Sequence, residues 1–144
     1  MPSEPDYRVS LDPAELQLDV IHGFLTQVYW SPGVPRELVA RAIRNSMTVG
    51  AYAPDGSQVG FGRLTTDYAS FGHLSDVFVL EPHRGRGLAA RMVRALLEAP
   101  ETRSLRRITL VTRDAHGLYR KFGFGPLADP GAIMELLRPG NYQL

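Results

Sequence analysis

The chain has 144 residues, the size of one domain with little to spare, and 44% of them are apolar, enough for a core and too many for a disordered chain. It has no cysteine, which excludes a disulfide scaffold, a thiolate nucleophile and a cysteine-ligated metal site. No apolar run approaches the roughly 18 residues of a membrane span, and the opening Met-Pro-Ser-Glu-Pro-Asp is not a signal peptide, so a single cytoplasmic domain over residues 1–144 is expected.

The formal net charge of +1 hides a split. Residues 1–82 hold five arginines against ten carboxylates, whereas residues 83–144 hold ten arginines and Lys121 against five. A basic second half suits a small polyanion, while the near-neutral total argues against a dedicated nucleic-acid binder.

Residues 1–6 read as a loose end, and Tyr7–Leu11 as a short strand. Asp12-Pro13-Ala14-Glu15 reads as a helix start with Asp at the cap and Pro in the first turn. Leu18, Ile21, Leu25 and Val28 follow at helical spacing and give that helix one apolar face. Ser31-Pro32-Gly33 ends it. Pro35–Asn45 predicts a second helix with Leu38, Ala42 and Ile43 inward. The period then becomes two. Thr48–Ala53 and Val59–Thr66 flank the hairpin turn Pro54-Asp55-Gly56-Ser57. A polar turn, Asp67–Gly72, leads into the strand Leu74–Leu80. Leu88, Met92 and Leu96 predict a helix ending before Pro100. Arg107–Thr112 is a β-branched strand, and Ala115–Phe122 a short helix stopped by Gly123. Phe124–Leu127 and Ile133–Leu137 are expected as two last strands. The order predicts an α/β chain with a mixed, mostly antiparallel sheet and one central strand–helix–strand crossover.

The most informative segment is the strand that ends in Glu81-Pro82-His83-Arg84-Gly85-Arg86-Gly87 and opens a helix at Leu88. A helix start presents unpaired backbone N–H groups and the positive end of the dipole. Gly85 and Gly87 let that backbone approach a bulky anion, and Arg84, Arg86 and Arg91 add charge, so a diphosphate is the natural guest. The run Gly85-Arg86-Gly87-Leu88-Ala89-Ala90 also matches a dinucleotide fingerprint, but three strands precede it and no second mononucleotide half follows.

Arg84-Gly85-Arg86-Gly87-Leu88-Ala89 fits every fixed position of the Q/R-x-x-G-x-G/A signature. With Leu118-Tyr119-Arg120-Lys121-Phe122-Gly123-Phe124 matching a second block, L-Y-x-x-x-G-F, the chain resembles the GNAT superfamily of N-acetyltransferases over residues 7–137. The resemblance implies a splayed pair of parallel strands and acetyl-coenzyme A as acetyl donor. It implies that Phe78 and Val79 lie along the pantetheine arm, with the Val79 N–H at the oxyanion, and that the turn from Arg84 through Gly85, Arg86, Gly87, Leu88 and Ala89 holds the diphosphate. Thr112 stands where many members carry an asparagine near the coenzyme.

Acetyl transfer from a thioester needs a neutral amine and a proton for the departing thiolate, but neither an enzyme nucleophile nor a metal. His22, His73, His83 and His116 are scattered without metal-ligand spacing. Tyr119, protonated at neutral pH, is the candidate general acid. His73 and Asp76 are the candidate bases. Tyr29, Trp30, Arg63 and Asp67 are the candidate acceptor pocket, for an amine on a small molecule or peptide. Neither nucleic acid nor membrane is expected as a partner, since Arg103, Arg106 and Arg107 lack interleaved aromatics, and a homodimer stays open. The competing reading is a coenzyme A-binding sensor of the same fold without turnover.

Overall fold

A computed structural model of the chain describes residues 6–140 and Tyr142. The expected loose N-terminus, residues 1–6, lies outside the described residues apart from Asp6. Two compact units meet at Val111 and Thr112.

The first unit, up to Val111, holds a five-stranded sheet in the order β1-β2-β3-β4-β5. Its strands are β1 (Arg8–Ser10), β2 (Met47–Tyr52), β3 (Gln58–Thr66), β4 (Phe71–Val79) and β5 (Arg107–Leu110). The first four pair antiparallel. β4 and β5 run parallel and pair only from Phe71↔Arg107 to Leu74↔Leu110. Beyond Leu74, β4 continues without β5, which is the splay the sequence led us to expect.

Helices cover both faces. α1 (Leu18–Leu25) and α2 (Arg36–Arg44) bury Ile21, Leu25 and Val39 together with Val34, Phe61 and Phe78. α3 (Leu88–Glu98) buries Leu88, Met92, Val93 and Leu96 on the other face. Gly60 permits that close approach: a Cβ there would lie 3.0 Å from Met92 Cε and 3.1 Å from Ala51 Cβ. Because strand side chains alternate, Gly60, Gly62 and Leu64 face α3 while Phe61, Arg63 and Thr65 face α1 and α2.

Three expectations are corrected in detail. The helix expected at Asp12 is a 3-10 turn, Pro13–Glu15, in which Asp12 Oδ1 accepts from the Ala14 N–H. Leu16 then turns extended. The reason is tertiary: the Gln17 N–H donates to Gln58 Oε1 at 2.7 Å, and the Gln58 N–H donates to Gln17 Oε1 at 3.0 Å. This reciprocal pair fixes the chain to β3, so α1 starts only at Leu18. In α2 the expected inward residues Leu38 and Ile43 do pack against the core, but the most buried residue is Val39, which was not among those expected. Third, the described residues of 124–137 contain no strand, only the 3-10 turn Pro130–Ala132.

The second unit begins at Thr112 and carries α4 (His116–Arg120). Its end explains the spacing of the second motif. Gly123 adopts φ +93°, the Phe124 N–H reaches back to the Tyr119 carbonyl at 3.2 Å, and the Gly123 N–H to that of Arg120 at 3.1 Å. That bonding pattern is a Schellman cap, which wants a hydrophobic contact across it. Phe124 and Tyr119 supply it, edge to face with centroids 5.9 Å apart.

Candidate active site

The glycine-rich turn follows β4 directly. Gly85 and Gly87 adopt φ +79° and +75°, left-handed conformations that favour glycine, and a Cβ at either would point into open space. Gly87 is the N-cap of α3 and offers no side chain of its own. The first backbone bond of the helix runs from the Arg91 N–H to the Gly87 carbonyl at 3.1 Å, which leaves the preceding amides as the unpaired set of a helix start. This arrangement fits a diphosphate: outward N–H groups, a positive dipole end and no side chain in the way.

The arginines of this turn also serve the fold. Arg84 Nε donates to the Val79 carbonyl at 2.8 Å, fastening the turn to the strand end. The Arg86 guanidinium lies 5.3 Å from the Tyr7 ring centroid, Arg91 donates to the Tyr7 carbonyl, and the Tyr7 hydroxyl lies 2.7 Å from His83 Nδ1.

Register fixes where Val79 points. The Leu80 N–H donates to the Val59 carbonyl at 2.8 Å, so the adjacent pair Gly60↔Val79 is the wide, non-bonded one. Val79 therefore turns both its N–H and C=O away from β3, toward the side where β5 has already ended. Arg84 takes the C=O. The N–H opens on the splay.

One extra residue interrupts β4. Pairing passes from Phe61↔Phe78 to Arg63↔Ser75, a β-bulge, and Asp76 within it adopts φ +58°. Asp76 accepts from Trp30 Nε1 through Oδ1 and from Arg63 Nε through Oδ2, each at 3.0 Å. Arg63 also donates to Ser46 Oγ and Thr65 Oγ1. Three residues singled out separately in the sequence thus form one cluster, and no carboxylate oxygen of Asp76 is without a donor. Trp30 and Tyr29 are 40% and 49% exposed and meet edge to face at 5.1 Å. Behind them Phe24 lies 6.2 Å from Trp30 and stacks on Phe78 at 4.0 Å.

His73 sits half-buried on β4, with Nδ1 2.7 Å from Thr109 Oγ1 on β5. Burial first, and the Arg63 charge second, hold its pKa below the ordinary imidazole value. Ser75 Oγ, on the same strand, is buried and has no hydrogen-bond partner among the described residues.

Asp67 takes a different place. Its Oδ1 accepts from the N–H groups of Ala69, Ser70 and Phe71, and its Oδ2 from Ser70 Oγ. The Ser70 hydroxyl leads these donors in holding its carboxyl far below the usual carboxylate range. It builds the β3–β4 turn, which is the role its hydrogen bonds show. In the second unit, Thr112 Oγ1 accepts from the Ala115 N–H at 2.9 Å, and Tyr119 is buried, its pKa raised by burial and then by the Asp114 charge.

Sequence reasoning missed Phe24, Thr109, Ser46 and Ser75. Phe24 lies three residues beyond Ile21 and was legible as part of the apolar face of α1. The other three are small hydroxyl residues whose role depends on strand register, which no local pattern displays.

The sequence profile described as the acetyltransferase (GNAT) family matches residues 16–124. The chain belongs to that family. It is 35% identical over 136 residues to a Gibberella zeae protein named as an acetyltransferase, covering 81% of this chain and 77% of that one. It is 32% identical over 102 residues to the mycothiol acetyltransferase of Amycolatopsis mediterranei, covering 68% of this chain and 33% of that protein. A crystal structure of a GNAT-family protein from Xanthomonas campestris pv. campestris is 43% identical and superposes with a TM-score of 0.92, covering 99% of this chain and all of that one. A Clostridium acetobutylicum acetyltransferase solved with acetyl-coenzyme A shares the fold at TM-score 0.65 and 17% identity, over 93% and 96% of the two chains. Among the described residues of this GNAT chain, no helix is long and apolar enough to cross a membrane, and no group of three or more His, Asp or Glu side chains is placed to hold a metal ion.

Proposed function

We propose that this chain transfers the acetyl group of acetyl-coenzyme A directly to a primary amine of a small molecule or peptide. The observation that carries the reading is the end of β4. There the Val79 N–H opens where β5 has left, and the next residues form a glycine turn at the start of α3. Acetyl-coenzyme A supplies the activated acetyl group. The turn from Arg84 to Ala89 binds its diphosphate, Phe78 and Val79 flank its arm, and the Val79 N–H donates to the carbonyl oxygen as charge develops there. Thr112, where the family often has an amide, contributes a hydroxyl.

In the transfer a C–N bond forms and the C–S bond breaks. Tyr119 gives its phenolic proton to the departing sulfur; its raised pKa keeps it protonated throughout the neutral range. Six residues of β4, roughly 20 Å, separate His73 from Val79, so the amine proton reaches His73 through a chain of water rather than directly. In the tautomer whose Nδ1–H donates to Thr109 Oγ1, Nε2 carries the lone pair, and the lowered pKa favours the neutral ring at pH 7. Asp76 is not assigned the base, because both of its oxygens already hold donors.

This choice of base narrows the acceptor. A weak base cannot readily deprotonate a lysine-like ammonium of pKa about 10.4, whereas an α-amino group near 7.7–8.0 is roughly a tenth neutral already. Tyr29 and Trp30 form the wall against which the acceptor rests, and the Arg63–Asp76 pair gives that wall a polar but charge-balanced floor. An amine panel monitored by thiol release tests the reading. Turnover with amines of pKa near 8, at rates above those with lysine-like amines, is expected. Turnover confined to lysine-like amines would remove His73 as base, and no turnover on any amine would leave the sensor reading.

A further inference from the structure

Tyr7 immediately precedes β1, yet its hydroxyl, its ring and its carbonyl each engage the glycine turn or the residues beside it. The hydroxyl lies 2.7 Å from His83 Nδ1, in the 3-10 turn Glu81–His83 that leads into the glycines, and the two rings meet edge to face at 5.7 Å. The guanidinium of Arg86, between Gly85 and Gly87, stands over the Tyr7 ring at 5.3 Å from its centroid. The carbonyl accepts from Arg91 Nη1 at 3.1 Å, in the first turn of α3. These links cross 76 residues to His83 and 84 to Arg91, so it is the pairing of β1 with β2, and not local sequence, that brings Tyr7 to the turn.

Two of the three partners are arginines at the proposed diphosphate site. Arg86 is exposed, and an exposed arginine on its long flexible stem occupies many rotamers, of which only a fraction face the turn. The apparent affinity for an anion falls by that fraction. An aromatic face against the guanidinium removes the competing rotamers before the anion arrives. The guanidinium is planar and weakly hydrated, so it can lie on a ring and still turn edge N–H groups to a phosphate. The Tyr7 carbonyl restrains Arg91 through one nitrogen in the same way. The contact with His83 ties the stem of the turn to the same residue.

We infer that Tyr7 is a positioning residue for the acetyl donor: it holds Arg86, Arg91 and His83 at the glycine turn, so that the diphosphate of acetyl-coenzyme A meets arginines already ordered. The inference rests on the reading that this turn binds acetyl-coenzyme A. It goes further in assigning part of the donor's affinity to a residue that lies outside both sequence motifs and acts through the arginines.

The test uses the full chain and two ligands. Calorimetry measures acetyl-coenzyme A, and ligand-observed NMR measures S-acetylpantetheine, which has the same thioester arm without the diphosphate. All measurements are made well below the melting midpoint of each variant, so that lost stability does not enter the dissociation constant. An exposed cation–π contact is worth about two- to fivefold in an equilibrium. Tyr7→Leu removes that contact and the hydroxyl and is expected to weaken acetyl-coenzyme A about five- to tenfold, while Tyr7→Phe, which keeps the ring, weakens it about two- to threefold. In an Arg86→Gln background the difference between the Leu and Phe variants should vanish, because the ring acts through that arginine. S-acetylpantetheine should bind the parent and every variant alike. Parent-like affinity for acetyl-coenzyme A in Tyr7→Leu, or a Leu–Phe difference that persists without Arg86, overturns the inference and leaves the donor reading intact. Equal weakening of S-acetylpantetheine also overturns it, by making Tyr7 a support of the fold alone. A parent chain that binds neither ligand overturns the donor reading and the inference together.

Discussion

Asp76 carries two opposing energies, and a pair of substitutions separates them. Asp76→Ala removes the acceptor of Trp30 Nε1 and of Arg63 Nε, while Arg63 keeps Ser46 Oγ and Thr65 Oγ1. The side chains of the ion pair are only 21% and 15% exposed. Breaking a fully buried pair costs about 3–5 kcal/mol, and a hydrogen bond to a charged group is worth about 1.5–3 kcal/mol, so a loss of about 2 kcal/mol suits this partly solvated case. Alanine also keeps a left-handed backbone at φ +58°, which aspartate tolerates better than alanine; that adds about 1 kcal/mol. Asp76→Gly loses the same hydrogen bonds but not the conformational freedom. The expected losses are thus about 3 kcal/mol for alanine and about 2 kcal/mol for glycine. At about 3 °C per kcal/mol for a domain of this size, the melting temperatures fall by about 9 and about 6 °C. Urea unfolding of Asp76→Ala with and without Arg63→Met completes the cycle, with a coupling of about 2 kcal/mol expected. Equal losses for alanine and glycine would show that the bulge stores no strain. A coupling near zero would show that the ion pair contributes nothing.

Three further outcomes address the proposed chemistry. Gly87→Glu places a side chain on a left-handed backbone and a negative charge at the helix start, so calorimetry should show acetyl-coenzyme A binding lost in a folded variant; unchanged affinity would move the diphosphate elsewhere. Tyr119→Phe keeps the ring against Phe124 and should lower kcat about 10²–10⁴-fold with little change in KM for acetyl-coenzyme A; a parent-like kcat would leave water as the proton source. For His73, the folded state binds protons less readily than the unfolded chain, so stability rises with pH through the window between the lowered pKa and about 6.5, and falls as pH drops through it. Activity should therefore show an acid limb below pH 6.5 that His73→Gln abolishes; an unchanged limb would assign it to another group.

What the sequence made legible was whatever depends on local backbone chemistry. The hairpin turn at Pro54–Ser57 and the cap at Gly123 each need a left-handed glycine at a fixed offset, and both formed where the spacing put them. The Arg84–Ala89 turn was readable for the same reason. Partnerships across the sheet were less legible. The link from Trp30 to Asp76 spans 46 residues, and Asp76 sits in a bulge that shifts β4 by one position against β3. Alternation along β4 gives no sign of that extra residue. Asp67 shows the converse: read from the sequence as an acid available for an amine, it is also good turn chemistry in Asp67-Tyr68-Ala69-Ser70, and its oxygens accept the turn's N–H and hydroxyl donors.

The last two expected strands mark a different boundary between sequence and structure. Alternating β-branched and aliphatic residues state that a segment can form a strand, and they say nothing about whose edge completes it. For β2 and β3 the partner is four turn residues away, and hairpin geometry leaves no choice. For residues 133–137 no short turn joins the segment to another described strand, and residues 124–137 form only the 3-10 turn Pro130–Ala132. Strand propensity is realised only against a partner, because the ladder hydrogen bonds and the cross-strand contacts that stabilise a strand do not exist in one segment alone. The sequence pattern reports the first half of that requirement and not the second, which is why two strands were expected where none forms.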